Sequence, residues 1–298
     1  MIWCSGWELA SAVSNAGGLG IIGSGSMYPD ILREQIRKCK AATGKPFGVN
    51  IPLLYPQIED HIDIIISENV KIVFSSAGNP KTWTGKLKEH GIKVVHVVSS
   101  TKFALKAEEA GCDAVVAEGF EAGGHNGREE TTTLCLIPAV ADAVSVPVIA
   151  AGGIYDGRSM AAAFALGAEG VQVGSRFAAS VEASAHTNFK NAVVAAGEGD
   201  TQLTLKELTP VRLIKNDFYQ RVMEAYQHGA SREELAALLG RGRAKKGMFE
   251  GDMVDGELEI GQVAAMIREI LPAEMILKDI IETFRVAVKQ LENGATAF

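Results

Sequence analysis

VPVIAAGGIYDGRSMAAAFALGAEGVQVGSRF, residues 146–177, contains one complete unit of the chain's organisation. Val146-Pro147 opens a short apolar run at 148–151, and Gly152-Gly153 closes it. A polar-to-small stretch then ends at Gly167, and a second run follows at 170–173. Both runs are continuously apolar rather than alternating, as parallel strands covered on both faces must be. A glycine just past a helix end fits the left-handed C-cap position. The stretch reads as strand, helix, strand.

The same unit recurs outward to both sides, from the start of the chain to about residue 178. Gly17-Gly18 precedes 19–23, Gly44 precedes 46–51, Asn69 precedes 70–75, Gly91 precedes 92–98 and Gly111 precedes 113–117. The intervening helices are amphipathic; in 30–43, Ile31, Leu32, Ile36 and Cys39 share one side. Taking helix ends at Gly17, Gly44, Asn69, Gly91, Gly111, Ser145 and Gly167, the steps are 27, 25, 22, 20, 34 and 22 residues. Steps this short, linking seven strands in a row, predict an α/β fold of the TIM (β/α)8 barrel type rather than an open sheet. The long step contains Gly119-Phe120-Glu121-Ala122-Gly123-Gly124-His125-Asn126-Gly127-Arg128-Glu129-Glu130. An extended loop after a strand lies at the catalytic face of such a barrel.

The two ends of the chain depart from this rhythm. Ser5-Gly6-Trp7-Glu8 matches a capping box, which predicts a helix from about residue 6 and leaves little room for a strand before it. Beyond residue 178, segments 188–198, 203–225 and 231–248 read as helical and richer in charge. A turn-rich link at 251–256 precedes a last amphipathic helix at about 272–292. The predicted organisation is a barrel over 1–185, a small helical subdomain over 186–256, and a segment at 257–298 whose helix returns to the barrel.

Composition narrows the function. With 29 Lys and Arg against 36 Asp and Glu, the net charge of −7 argues against a basic nucleic-acid surface. The 32 glycines are about 11% of the chain against a usual level of about 7%, without repeat or low complexity. Cys4, Cys39, Cys112 and Cys135 lack CxxC spacing, so neither a zinc knuckle nor a redox pair is expected. No basic residue precedes Arg33, and no 18-residue apolar run exists, so neither a signal peptide nor a membrane span is read. The expectation is a soluble cytoplasmic protein.

Candidate chemistry gathers at strand ends. Gly152-Gly153 and Gly174-Ser175 end consecutive strands, where small residues let backbone N–H groups approach a phosphate; the alternative is that they only permit tight turns. His125 sits among Gly123, Gly124 and Gly127, which leave space for a flat ligand beside the imidazole. A histidine there can exchange a proton with a polarised substrate, unless it is merely an exposed loop residue. Glu118 and Asn50 would point to the same mouth, though a structural charge and a turn cap are the competing readings. His96, inside 94–98, reads as a packed core or barrel-interior residue. Cys4 reads as lining near the mouth. No metal-ligand constellation, Rossmann fingerprint or Walker motif is present.

Taken in order, Ala16-Gly17-Gly18-Leu19-Gly20-Ile21-Ile22-Gly23, Lys45-Pro46-Phe47-Gly48-Val49-Asn50, Ala77-Gly78-Asn79-Pro80, residues 117–125, 147–153 and 171–177, and Gly261-Gln262 form a strong set. The set resembles the flavin-dependent enoyl-acyl-carrier-protein reductases of the FabK type, within the nitronate monooxygenase and 2-nitropropane dioxygenase-like FMN barrels. The resemblance implies FMN in the barrel mouth, with Gly152, Gly153, Gly174 and Ser175 on its phosphate. Asn50, Glu118 and Gly124 would lie beside its ribityl chain or ring. It implies NADH or NADPH as cosubstrate, an enoyl thioester on acyl carrier protein as substrate, and His125 as the catalytic residue. A homodimer is implied by resemblance alone. A basic patch of Arg241, Arg243, Lys245 and Lys246 would meet the carrier or its phosphopantetheine. Members usually carry a first strand and a Gln-Gly-Gly-Met turn at the flavin; Met1-Ile2-Trp3 resembles the end of that turn, so about 20 residues would be absent from a complete barrel. The competing activities are nitronate monooxygenase and NAD(P)H:quinone reductase. Glu118 leans toward the reductase.

Overall fold

A computed structural model describes residues 1–295. Ten strands occur among them: β1 Gly20–Gly23, β2 Phe47–Pro52, β3 Ile72–Ser76, β4 Lys93–Val98, β5 Ala114–Glu118, β6 Gly124–His125, β7 Val148–Ala151, β8 Gly170–Gln172, β9 Thr201–Thr204 and β10 Val211–Ile214. Seven form one curled sheet in the order β1-β2-β3-β4-β5-β7-β8, and each neighbouring pair is parallel. Helices cover its outer face, giving the TIM-barrel-like architecture expected from the spacing. All seven apolar runs became strands of this sheet, each within two residues of its expected position.

Strand parity explains the runs. Val49, Val73, Val94, Val115 and Ala150 face outward into a buried layer with helix residues such as Leu32, Ile36, Ile62 and Leu136. Their neighbours Phe74, Val95, Val116 and Ala151 face inward and fill the barrel interior. Both faces are dry, so no polar alternation survives. Gly17, Asn69, Gly91, Gly111 and Gly167 all carry positive φ after their helices, as left-handed caps require. Ile31 departs from expectation: it is exposed, while Leu32, Ile36 and Cys39 alone carry the buried side of Pro29–Ala42.

The chain start also differs from the capping-box reading. The helix Trp7–Asn15 begins after Gly6 without a side-chain cap. The Ser5 hydroxyl instead donates to the Ile21 carbonyl of β1, and the Ser5 carbonyl accepts from Gly23 N–H at 2.9 Å. On the other side, Ser184 N–H and Oγ donate to the carbonyls of Cys4 and Trp3, both at 3.0 Å. Residues 3–5 thus tie the end of β1 to the segment that follows β8.

The region read as a helix over 203–225 is the main correction. Residues 201–214 form an antiparallel hairpin, β9 against β10, and only Asp217–Gln227 is helical. The other segments are the helices Thr187–Ala195 and Arg232–Leu239 and a π-turn at Lys245–Phe249. The hairpin packs Leu205, Val211 and Leu213 against Phe218, Val222 and Leu235, a small apolar core of its own. Thr-Gln-Leu-Thr and Val-Arg-Leu-Ile are too short to establish a period, and charged neighbours made the stretch look like a solvated helix. The last helix, Ala273–Ala295, packs on the helix Gly157–Ala165 of the barrel. There Phe284 meets Phe164 edge-on at 5.5 Å, and Thr283 Oγ1 accepts from Gly157 N–H at 2.9 Å. Among the described residues, no helix is long and apolar enough to cross a membrane.

Candidate active site

Every strand-end residue singled out by sequence lies at the carboxyl end of the parallel sheet. Asn50 is on β2 with the inward parity opposite to Val49 and Ile51. Its side-chain amide donates to the Phe74 carbonyl at 2.8 Å and to Ser76 Oγ at 3.2 Å, which leaves its oxygen for a ligand. It caps no turn. Glu118, the last residue of β5, shares the inward parity of Ala114 and Val116. It lines a recess with Phe120, Asn126 and Gly127. Surrounded by protein, its carboxyl is pushed up to about 7 by burial.

The glycines follow directly. Gly152 and Gly153 leave β7 with φ of 86° and 69°. A side chain at 152 would bring Cβ to 2.7 Å from the Gly119 carbonyl oxygen, so only glycine fits. Glu121 and Thr133 hold this turn: the Glu121 carboxylate accepts from Thr133 N–H at 3.0 Å and Oγ1 at 2.8 Å, and the same hydroxyl lies 2.9 Å from the Gly152 carbonyl. Gly174 and Ser175 follow β8, and Ser175 Oγ accepts from Gly261 N–H at 2.9 Å, leaving its own proton to donate. The ladder between β7 and β8 ends at Ala151 and Gln172, so the amides of these four residues lie beyond it. Such amides with a hydroxyl suit a phosphate. Around Gly174 a Cβ would meet nothing nearer than the Met1 sulfur at 3.8 Å, so the approach is open.

His125 belongs to a different element. Gly124 and His125 form β6, antiparallel to β10, with Val211 opposite His125 and Arg212 opposite Gly124. The imidazole is exposed, while Gly124 is buried with φ of 74°. Behind them, Glu259 Oε2 would lie 2.8 Å from a Cβ on Gly124, so a larger residue there would strike a buried carboxyl. Burial raises Glu259, and His125 partly offsets this. Its neighbour Glu257 is pushed up to about 8 by burial and by Glu259. This acidic pair matches no motif spacing in the sequence. The alternation Glu257-Leu258-Glu259-Ile260, with Leu258 and Ile260 buried, was the available signal of an extended segment behind the site.

Other candidates fall away from the mouth. His96 shares the outward parity of Val94 and Val98 and meets Ser75 Oγ at 2.8 Å, so it belongs to the layer between sheet and helices. Burial holds it down to about 4. Cys4 is fully buried and pushed up to about 12, which leaves it an inert thiol. In the basic patch, Lys245 pairs with Glu250 at 2.7 Å and Lys246 with Asp252 and Asp255 at 3.1 and 2.9 Å. Arg243 turns inward to the carbonyls of Leu238, Leu239 and Asp255. Arg241 is exposed, and the other three are half-buried. No group of three or more potential metal ligands occurs among the described residues.

Known proteins share the fold and the sequence pattern of this chain. The family model described as nitronate monooxygenase matches residues 1–63 and 55–283. FabK from Thermotoga maritima superposes with a TM-score of 0.93 at 45% identity, covering 98% of this chain and 93% of that one. A 5-hydroxy-7a-methyl-1-oxo-octahydro-1H-indene-4-carboxyl-CoA dehydrogenase of Rhodococcus jostii is 38% identical over 238 residues, 80% of this chain and 66% of that protein's length. A probable nitronate monooxygenase of Staphylococcus saprophyticus is 36% identical over 264 residues, 73% of this chain and 74% of the relative. The chain belongs to the nitronate monooxygenase family of barrel oxidoreductases.

Proposed function

We propose that the protein is an FMN-dependent reductase of trans-2-enoyl thioesters, using NADH or NADPH and acting on acyl groups held by an acyl carrier protein. The observation that carries this reading is the FabK likeness over nearly the whole chain. The carboxyl-CoA dehydrogenase among the relatives also bears an acyl thioester in its name.

The residues present fit a flavin mononucleotide. Gly152, Gly153, Gly174 and Ser175 offer amides and a hydroxyl to its phosphate, Asn50 offers an amide oxygen, and the dry inward face below them suits an apolar ring. When bound, FMN supplies hydride transfer between a nicotinamide and the β-carbon of the enoyl thioester. His125, exposed at the rim, would donate a hydrogen bond to the thioester carbonyl oxygen and stabilise the enolate charge developing there. Glu118, held near neutrality, would present either a proton or a charge to the ring edge according to pH. Gly124 would keep the backbone beside the imidazole clear of the Glu259 carboxyl behind it.

Anaerobic titration of the FMN-loaded protein with NADH and NADPH, followed by crotonyl thioester, tests the proposal. Bleaching by a nicotinamide and reoxidation by the thioester is the expected sequence. The second reading, nitronate monooxygenase, is favoured by the Staphylococcus relative. It predicts oxygen uptake with an alkyl nitronate and no nicotinamide, with His125 as the base. That result, with no reoxidation by thioester, overturns the reductase.

A further inference from the structure

We propose that Arg128 is a positioning residue for His125, holding the loop that carries the imidazole in register with the β9–β10 hairpin. The inference rests on the reading of His125 as the group that meets the thioester.

The loop from Gly119 to Glu130 has little to hold it by itself. Its only strand is the two-residue β6, and a ladder this short is marginal. One further backbone bond extends it, from Asn126 N–H to the Pro210 carbonyl at 2.9 Å. Glu121 is held at Thr133 and Gln262 and Glu129 at Ser99, and two arginines reaching in opposite directions tie the loop to the hairpin. Arg212, buried on β10, stacks over the Phe120 ring at 4.4 Å and donates through Nε and Nη2 to the Phe120 carbonyl at 3.2 and 3.0 Å. Arg128, on the loop, donates through Nη1 to the Lys206 carbonyl at 2.9 Å and through Nη2 to the Leu208 carbonyl at 2.7 Å. Glu130 pairs with Lys206 beside it.

His125 lies between these two attachments in sequence, five residues beyond Phe120 and three before Arg128. The Arg212 end is buried. The Arg128 end is exposed and consists of two charge-assisted bonds to the turn that joins β9 and β10. A planar fork meeting two carbonyls fixes direction as well as distance. A shift of this turn would therefore slide His125 relative to the barrel end, where Glu118 and the glycine turns stay put. Misplacement of a reacting group by a fraction of an ångström lowers the rate without weakening substrate binding to the same extent.

The test is a double-mutant cycle on the FMN-loaded protein, with crotonyl thioester as substrate. Arg128→Ala should lower kcat by about tenfold with KM nearly unchanged, because an aligned contact is made mainly in the transition state. In the His125→Ala background the same substitution should change kcat by less than about twofold, since the contact it positions is gone. Hydrogen exchange gives a readout independent of turnover: the amides of His125 and Asn126 should lose protection in Arg128→Ala, while those of β5 and β7 keep theirs. Arg128 is exposed, so flavin content and melting temperature should stay at wild-type levels. Wild-type kcat in Arg128→Ala beside a crippled His125→Ala overturns the positioning role alone. Equal losses in both backgrounds, or a fall in flavin content that matches the fall in rate, also overturn it. Full turnover in His125→Ala overturns the underlying reading, and the positioning role falls with it.

Discussion

The two parts of the mouth are built by different physics. The barrel end is a frame of parallel ladders, dry on both faces, and its functional residues are fixed by strand parity and glycine turns. The His125 side is a three-stranded antiparallel sheet of short strands, joined to the loop by guanidinium bonds to carbonyls. In the proposed reductase, the frame holds the cofactor and the small sheet brings the group that polarises the substrate. The division means that binding and chemistry should be separable by substitution.

The largest expected effect breaks the two apart directly. His125→Ala should lower thioester reduction by about 10²- to 10⁴-fold while flavin content stays unchanged. Activity assays beside the ratio of flavin to protein absorbance check it. Loss of flavin together with activity would mean that the two regions form one cofactor site. The converse substitution, Gly152→Ala, should weaken FMN affinity by about 10- to 100-fold. Its backbone φ of 86° and the 2.7 Å approach to Gly119 oxygen force the turn to shift. Circular dichroism should remain that of the intact fold, and fluorescence titration with FMN reads the affinity.

How much of this was legible follows the same division. Residues 148–151 and 170–173 announced themselves because buried parallel strands leave apolar runs that no turn interrupts. Gly152, Gly153, Gly174 and Ser175 then fell at strand ends by counting alone. The hairpin was illegible because β9 and β10 are four residues each, and Arg212 looks like surface charge although it is buried. Its guanidinium is satisfied by a carbonyl and a ring 92 residues earlier in the chain, a partner that no local pattern reveals. The glycines around His125 set it apart in the sequence, but the two-residue strand that carries it leaves no pattern.

Glu118 tests whether the frame also carries a titrating group. Its carboxyl is raised by burial from 4.5 to about 7, so between these values the folded state binds a proton that the unfolded state has released. Stability is therefore fully present below about 4.5 and falls as pH rises through about 7. Glu118→Gln mimics the protonated form and should remove this contribution, on the order of 1–3 kcal/mol. Thermal melts at pH 5 and pH 8 should show a smaller decline for the variant than for the wild type. The same variant should flatten any step near pH 7 in the rate of flavin reduction. Parallel declines in both proteins would place the carboxyl in contact with water and remove it from that role.

The smallest expected effect concerns the outer surface of the small sheet's region. Four basic residues there resembled a docking patch in sequence, but the ion pairs of Lys245 and Lys246 and the inward turn of Arg243 leave Arg241 as the exposed member. A single rim charge steers encounter more than it holds the complex. Arg241→Glu should therefore raise KM for a carrier-bound enoyl substrate by about threefold and leave KM for a short crotonyl thioester unchanged. Raising the ionic strength from about 0.05 to 0.5 M should erase the difference, because an exposed charge is screened within a Debye length. Lys246→Glu makes the contrast sharper: it opposes Asp252 and Asp255 at close range, so its cost should appear in melting temperature rather than in selective KM. Equal rises in KM for both substrates in Arg241→Glu would show that this surface acts on the shape of the mouth, and that the carrier approaches from another side.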